Sequence, residues 1–190
     1  MDCMRLGLRY YRCLCRRMDV LKRVFVFSLA ALLYALFASP AKAESVGPIS
    51  EETPPLTCNA GRFVGSLKCT GRYCDNLRVS CRTVGKEHVG ESSWGKWLSE
   101  ETRRGNYRTN NCPGSRYIAG MACKGKYCDK ISLYCVKLDL PVLPCKRTKW
   151  VSEENGGFLS FPPNTVATAK DCKGRYCDNK RFAVCEIADE

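Results

Sequence analysis

The sequence predicts an all-β, disulfide-rich fold in which three internal repeats pack with pseudo-threefold symmetry. Three observations predict it. Cysteines recur at fixed spacings, short β-prone runs end at those cysteines, and no stretch after residue 43 keeps a helical period over three turns.

The first segment to set aside is 1–43. Val24 to Ala38 form an apolar run of 15 residues, preceded by Lys22 and Arg23 and followed by Ser39-Pro40-Ala41-Lys42-Ala43. A basic flank, an apolar stretch and small residues at Ala41 and Ala43 predict a secretory signal peptide cleaved after Ala43. The run is short of the about 20 residues that a membrane span needs, so no stable span is expected after cleavage. Residues 1–17 carry Cys3, Cys13, Cys15 and five arginines ahead of Met18. An ordinary signal would begin at Met18, so 1–43 is read as leader and 44–190 as a single secreted domain. The Ala-Lys-Ala ending predicts a Gram-negative bacterium, with the domain secreted or periplasmic.

Residues 1–43 hold eight of the 31 basic and two of the 19 acidic residues, which leaves a formal charge of +6 on the remainder. That charge is compatible with an anionic partner without requiring one. Nucleic acid is not expected, because the exported part has no basic run or known binding motif. Twelve of the 15 cysteines lie after residue 43. An even count in an exported chain predicts disulfides.

The repeat is read from two words in register. CTGRYCDNLRVSC begins at Cys69, CKGKYCDKISLYC at Cys123 and CKGRYCDNKRFAVC at Cys172. Upstream stand Ser50-Glu51-Glu52, Ser99-Glu100-Glu101 and Ser152-Glu153-Glu154. The copies span about 48–83, 94–137 and 145–187. Within them, 62–67 and 116–121 predict a first strand, and 77–81, 131–135 and 182–185 a last one. Gly71, Gly125 and Gly174, with the Asp-Asn or Asp-Lys that follows, predict the turn between them.

A unit of about 50 residues is too small to bury a stable core alone, so the copies are expected to share one and to be stapled. The repeat predicts Cys58–Cys81 and Cys112–Cys135 from first strand to last, and Cys69–Cys74, Cys123–Cys128 and Cys172–Cys177 across the turns. In the third copy Phe161 stands where the others have Cys58 and Cys112, leaving Cys145 for Cys185. A competing scheme pairs the last two cysteines of each copy, as in Cys74–Cys81.

The second copy carries Ser93-Trp94-Gly95-Lys96-Trp97, Cys112-Pro113, Arg116-Tyr117-Ile118-Ala119-Gly120 and Ile131-Ser132-Leu133-Tyr134-Cys135. These words resemble the repeat of the vitelline membrane outer layer protein I family, over residues 48 to 187. The resemblance implies a β-prism of three sheets about a pseudo-threefold axis, Trp94 and Trp97 as packing residues, and an extracellular matrix role with affinity for oligosaccharides. The short Cys-x-Gly-x-Tyr-Cys-Asp turn departs from that family's longer loop.

The candidate ligand-binding residues lie in the repeated turns: Tyr73, Asp75 and Asn76, then Tyr127 and Asp129, then Tyr176, Asp178 and Asn179. An aromatic face stacks on a sugar ring while Asp and Asn bond its hydroxyls, and repeated weak sites give avidity on a polymer. The structural alternative has Asp capping its own turn and Tyr packing over the disulfide. Arg72, Lys126 and Arg175 hold one repeated position suited to an anionic envelope polymer.

Other constellations carry less. The Ser-Glu-Glu acids are adjacent, whereas a glycosidase needs two carboxyl groups flanking one bond, so a surface turn or strand edge is expected. His88 is the only histidine, which leaves a His-pair metal site or Ser-His triad little to build on. Export argues against zinc on the cysteines, and no cofactor is predicted. The expected function is a secreted, non-catalytic binding or envelope-matrix module for glycan or cell-envelope polymer. The alternatives are a protein-binding structural or inhibitory factor and, behind it, a glycan-active enzyme.

Overall fold

A computed structural model of the chain describes residues 44–99 and 107–188. The leader read at 1–43 lies outside the described residues, as do Glu100 and Glu101 of the second Ser-Glu-Glu word.

The described residues are all-β. Their helical segments are one-turn 3-10 pieces such as Arg72–Cys74, Lys126–Cys128 and Arg175–Cys177. Each of these joins two antiparallel strands. β1 is Glu44–Ile49 and β2 is Leu56–Thr57. The first hairpin pairs β3 (Arg62–Thr70) with β4 (Asn76–Thr83). β5 (Val89–Trp94), β6 (Leu98–Ser99) and β7 (Tyr107–Asn111) follow. The second hairpin pairs β8 (Arg116–Lys124) with β9 (Lys130–Leu138). After β10 (Lys146–Arg147) and β11 (Phe158–Ser160), the third pairs β12 (Thr165–Lys173) with β13 (Asn179–Glu186). The expected strands are present but run on past the cysteines to the turn. β12, which the sequence reading did not name, completes the third hairpin.

Three sheets result, in the orders β1-β4-β3-β11, β2-β8-β9-β5 and β10-β13-β12-β7, with β6 also on β9. Each hairpin receives a short strand that precedes a different hairpin in the chain. β2 pairs with β8, β7 with β12, and β11 with β3. The register of each hairpin slips once, between Val64 and Ser66, Ile118 and Gly120, and Ala167 and Ala169. A bulge leaves its extra residue out of the ladder. Here that residue's carbonyl takes the incoming segment: Ala119 O accepts from Cys58 N at 2.7 Å, Thr168 O from Cys112 N at 2.9 Å and Gly65 O from Phe161 N at 2.9 Å.

Alternation directs one face of each hairpin into a common core that includes Leu67, Leu77, Ile118, Met121, Ile131, Leu133 and Phe182. Phe161, which replaces a cysteine in the third hairpin's approach, is buried and packs on Phe182 with ring centroids 5.1 Å apart. Six disulfides join Cys58–Cys81, Cys69–Cys74, Cys112–Cys135, Cys123–Cys128, Cys145–Cys185 and Cys172–Cys177. These are the pairs that the repeat spacing predicts. Cys58 follows β2, which lies in the second sheet, and Cys81 lies in β4 of the first, so this bridge fastens one sheet to the next. Closing a loop of this size contributes roughly 3 kcal/mol in the chain-entropy account.

Leu159 of β11 is buried in the core at the closing pair with β3. Leu159→Ala should cost about 2–4 kcal/mol, read as a lower urea midpoint at unchanged slope.

Candidate functional site

The three 3-10 turns that join the hairpin strands contact one another. Gly71, Gly125 and Gly174 open them with φ of 76°, 77° and 85°. The next residue but one then does something unusual: Tyr73, Tyr127 and Tyr176 adopt φ of 59°, 56° and 55°, and Cys74, Cys128 and Cys177 follow at 58°, 58° and 60°. Left-handed backbone costs a residue with a side chain roughly 1–2 kcal/mol. Six such residues in equivalent places require strong local support.

Part of that support is the tyrosines themselves. The Tyr73 ring lies 5.2 Å from both Tyr127 and Tyr176, and Tyr127 lies 4.9 Å from Tyr176, in edge-on or tilted contacts. Such pairs contribute about 0.5–1.5 kcal/mol each beyond their buried area. The left-handed turns aim the three rings at one another. All three rings are half-buried, and Arg72, Lys126 and Arg175 beside them are exposed. The cations sit against the rings, Arg72 at 5.2 Å from Tyr73, Lys126 at 5.3 Å from Tyr127 and Arg175 at 5.1 Å from Tyr176. Residues predicted as three separate turns thus form one aromatic and cationic apex.

The remaining predicted residues face into the turns. A Cβ on Gly71, Gly125 or Gly174 would collide with Oδ1 of Asp75, Asp129 or Asp178, so each carboxylate is tucked beneath its glycine. Asn76 Nδ2 donates to Asp75 Oδ1 at 2.8 Å and Asn179 Nδ2 to Asp178 Oδ1 at 2.9 Å. In the second turn Lys130 replaces that asparagine, and Asp129 Oδ1 is buried with no hydrogen-bond partner.

The acidic words have a use the sequence reading missed. The words at Glu51 and Glu153 lie in turns, as expected, and from there Glu153 reaches the first apex turn, where Tyr73 N donates to its Oε1 at 2.9 Å. Glu51 reaches the second, where Cys128 N donates to its Oε2 at 3.2 Å. Outward-pointing amides of left-handed turns make anion-binding concavities, and here the protein supplies the anion itself. Lys180, fully buried, donates to the carbonyls of Cys177 and Cys74 and so ties the third turn to the first. Lys170, also fully buried, places its ammonium 3.4 Å from Cys177 Sγ. The two lysines occupy positions held by Leu67 or Met121 and by Leu77 or Ile131 in the other hairpins. The matched position of Glu51 and Glu153 in the acidic word was the available signal.

No family model, curated protein or solved structure matches this chain. The apex therefore has to be interpreted from its own chemistry. Among the described residues, the grouping with metal-ligand geometry is Cys69, Cys74 and Glu153, and its sulfurs are spent in a disulfide. No helix among them is long and apolar enough to cross a membrane.

A further correction concerns the tryptophans. Trp94 and Trp97 were expected to pack internally, yet they are 40% and 41% exposed. Trp94 leans on Tyr134 at 5.1 Å, and Lys124 Nζ lies 4.2 Å above Trp97. Lys173 and Trp150 make the corresponding pair on the third sheet at 4.5 Å.

Two expectations follow. Lys130→Asn should give Asp129 the partner that Asp75 and Asp178 already have, raising stability by about 1 kcal/mol in urea melts. Burial raises the Asp75 pKa above the ordinary 3.8; the Asn76 hydrogen bond opposes the rise, and repulsion from Glu51 and Glu153 adds to it. A raised carboxyl contributes stability below its unfolded pKa and loses it as pH climbs through the folded one. The stability of Asp75→Asn relative to wild type should therefore increase from below pH 3.8 to above the Asp75 midpoint. Carbon-detected titration should place that midpoint above an unfolded Asp.

Proposed function

We propose that this protein is a non-catalytic module, secreted or periplasmic in a Gram-negative envelope, that holds an anionic glycan or cell-envelope polymer on its tyrosine apex. One observation carries the reading: three half-buried tyrosines within 5.2 Å of one another, ringed by exposed Arg72, Lys126 and Arg175. Sugar rings present apolar faces to aromatic edges and faces, while guanidinium and ammonium groups meet carboxylate, sulfate or phosphate substituents. The strained turns add weight, since left-handed non-glycine residues cluster at functional sites when the surroundings hold them. Asp75, Asp129, Asp178, Asn76 and Asn179 set the turns, and the tyrosines and cations meet the polymer.

In this reading the three sheets are the sides of a pseudo-threefold β-prism, and the resemblance over residues 48 to 187 supports that architecture. A threefold end presents equivalent groups in three directions, which suits a polymer arriving in any of three registers. The six disulfides support an oxidising compartment. The apex carboxylates are engaged within the protein, Glu51 and Glu153 on backbone amides and Asp75, Asp129 and Asp178 beneath the turn glycines, which favours holding a ligand over cleaving one.

The test is retention on immobilised acidic polysaccharide and lipopolysaccharide at low salt. The wild type should be held and then released near 1 M salt, where the screening length is about 3 Å. Arg72→Ala/Lys126→Ala/Arg175→Ala should bind about 10–100-fold more weakly, because each solvent-screened cation adds only a small increment to the attraction. Its melting should be nearly unchanged. Retention of the triple variant at wild-type strength would contradict the proposal, and no retention of wild type on any polymer would turn attention to a protein partner.

A further inference from the structure

The outer face of the third sheet gathers a second set of aromatic and cationic side chains. Strand pairing sets Thr109 and Arg181 on either side of Asp171, and Tyr107 opposite Lys173. Alternation sends them to the face opposite Phe182, which enters the core. Asp171 is fully buried there, which a carboxylate tolerates when it is paired. Thr109 Oγ1 donates to its Oδ1 at 2.8 Å, while Arg181 Nε and Arg147 Nε reach its Oδ2 at 2.7 Å and 3.0 Å. One acid thus fixes the direction of two guanidinium groups and offsets the charge of one of them. Arg181 sits in the corner of two edge-on rings, 4.4 Å from Trp150 and 4.9 Å from Tyr107, whose centroids are 6.1 Å apart. Tyr107 is 51% exposed and the Arg147 side chain 39%.

The repeat does not require this cluster. The place of Asp171 is held by Lys68 and Ala122 in the other hairpins, and that of Arg181 by Arg78 and Ser132. A device needed to close a hairpin would recur in all of them, as the turn glycines do. This one is built once.

Its chemistry selects the partner. Trp, Tyr and Arg are the residues enriched where protein–protein contacts carry their energy. A guanidinium oriented in advance meets a carboxylate through paired N–H donors at a reduced entropic cost. Lys146 and Lys149, both exposed beside Arg147 in the chain, extend the positive charge, so an acidic surface is the complement. Small-molecule sites are concave, whereas these side chains stand on the face of a sheet.

We infer that the outer face of the third sheet is a docking surface for an acidic protein segment. Arg147 and Arg181 take a carboxylate, and Tyr107 and Trp150 take the apolar side chain next to it. The surface uses none of the apex tyrosines or cations and does not rest on the apex binding a polymer.

The test titrates isotope-labelled protein at about 0.15 M salt with an acetylated hexapeptide of alternating glutamate and leucine. The peptide should shift the Trp150 indole and the Tyr107 amide together, and the same peptide with glutamine in place of glutamate should not. Arg147→Ala should weaken binding about tenfold. Arg181 and Thr109 remain on Asp171 in that variant, so its melting should stay close to wild type. Tyr107→Ala, at an exposed position, should weaken binding by a similar factor. Polygalacturonate, titrated in parallel at equal carboxylate concentration, should shift the two signals less than the peptide does. The inference is overturned if the acidic peptide leaves the Trp150 indole in place or moves only Tyr73, Tyr127 and Tyr176. It is equally overturned if the glutamine peptide binds as well, if both variants bind as wild type, or if polygalacturonate gives the larger shifts.

Discussion

Each hairpin of this protein finishes its sheet with a strand borrowed from elsewhere in the chain. β2, β7 and β11 are short, and each docks on the long first strand of a different hairpin. The bulges at Gly65, Ala119 and Thr168 free the carbonyls that receive the arriving backbone. No sheet is complete until its neighbour's approach is in place, so the three sheets stabilise one another jointly. Such pairings are long-range, and their loop-closure entropy is met before the contacts form. The bridges Cys58–Cys81 and Cys112–Cys135 fasten the borrowed segments to their own hairpins and limit that entropy.

Closure of the sheets brings the three turns to one point, and the apex exists only because they meet there. An isolated turn with two left-handed non-glycine residues would relax. Here Glu51 and Glu153 cross from other segments to bind turn amides, Lys180 joins two turns through their carbonyls, and the tyrosine rings fill the space between. The outer surface of this constrained cluster carries the positive charge. The groups that hold the turns and those proposed to meet a ligand thus share one cluster, with Glu51, Glu153 and Lys180 engaged on turn backbone and Arg72, Lys126 and Arg175 exposed.

Much of this was legible in the sequence. The cysteine spacing led to the six bridges, and the Gly-x-Tyr-Cys-Asp words led to the turns and their aspartates. What escaped has physical reasons. β2 and β11 have two and three residues, too few for alternation to register. The meeting of Tyr73, Tyr127 and Tyr176 depends on tertiary closure, which local propensity does not encode. Lys170 and Lys180 fill core positions against the usual preference of lysine for the surface, because turn carbonyls and a cystine sulfur receive their ammonium groups. The tryptophans misled in the opposite sense: Trp94 and Trp97 stand in water because β5 and β6 lie on the outer flank of β9, against Tyr134 and Lys124.

Closure of the sheets requires the segment ending in Phe161 to dock onto the first hairpin. Two amides report it: Cys69 N donates to Gly157 O at 2.6 Å and Phe161 N to Gly65 O at 2.9 Å. Native-state hydrogen exchange should show both protected as strongly as the central amides of β3 and β4, opening only with global unfolding. Exchange at the rate of a free sheet edge would mean that the sheets do not close on one another, and the shared apex would go with them.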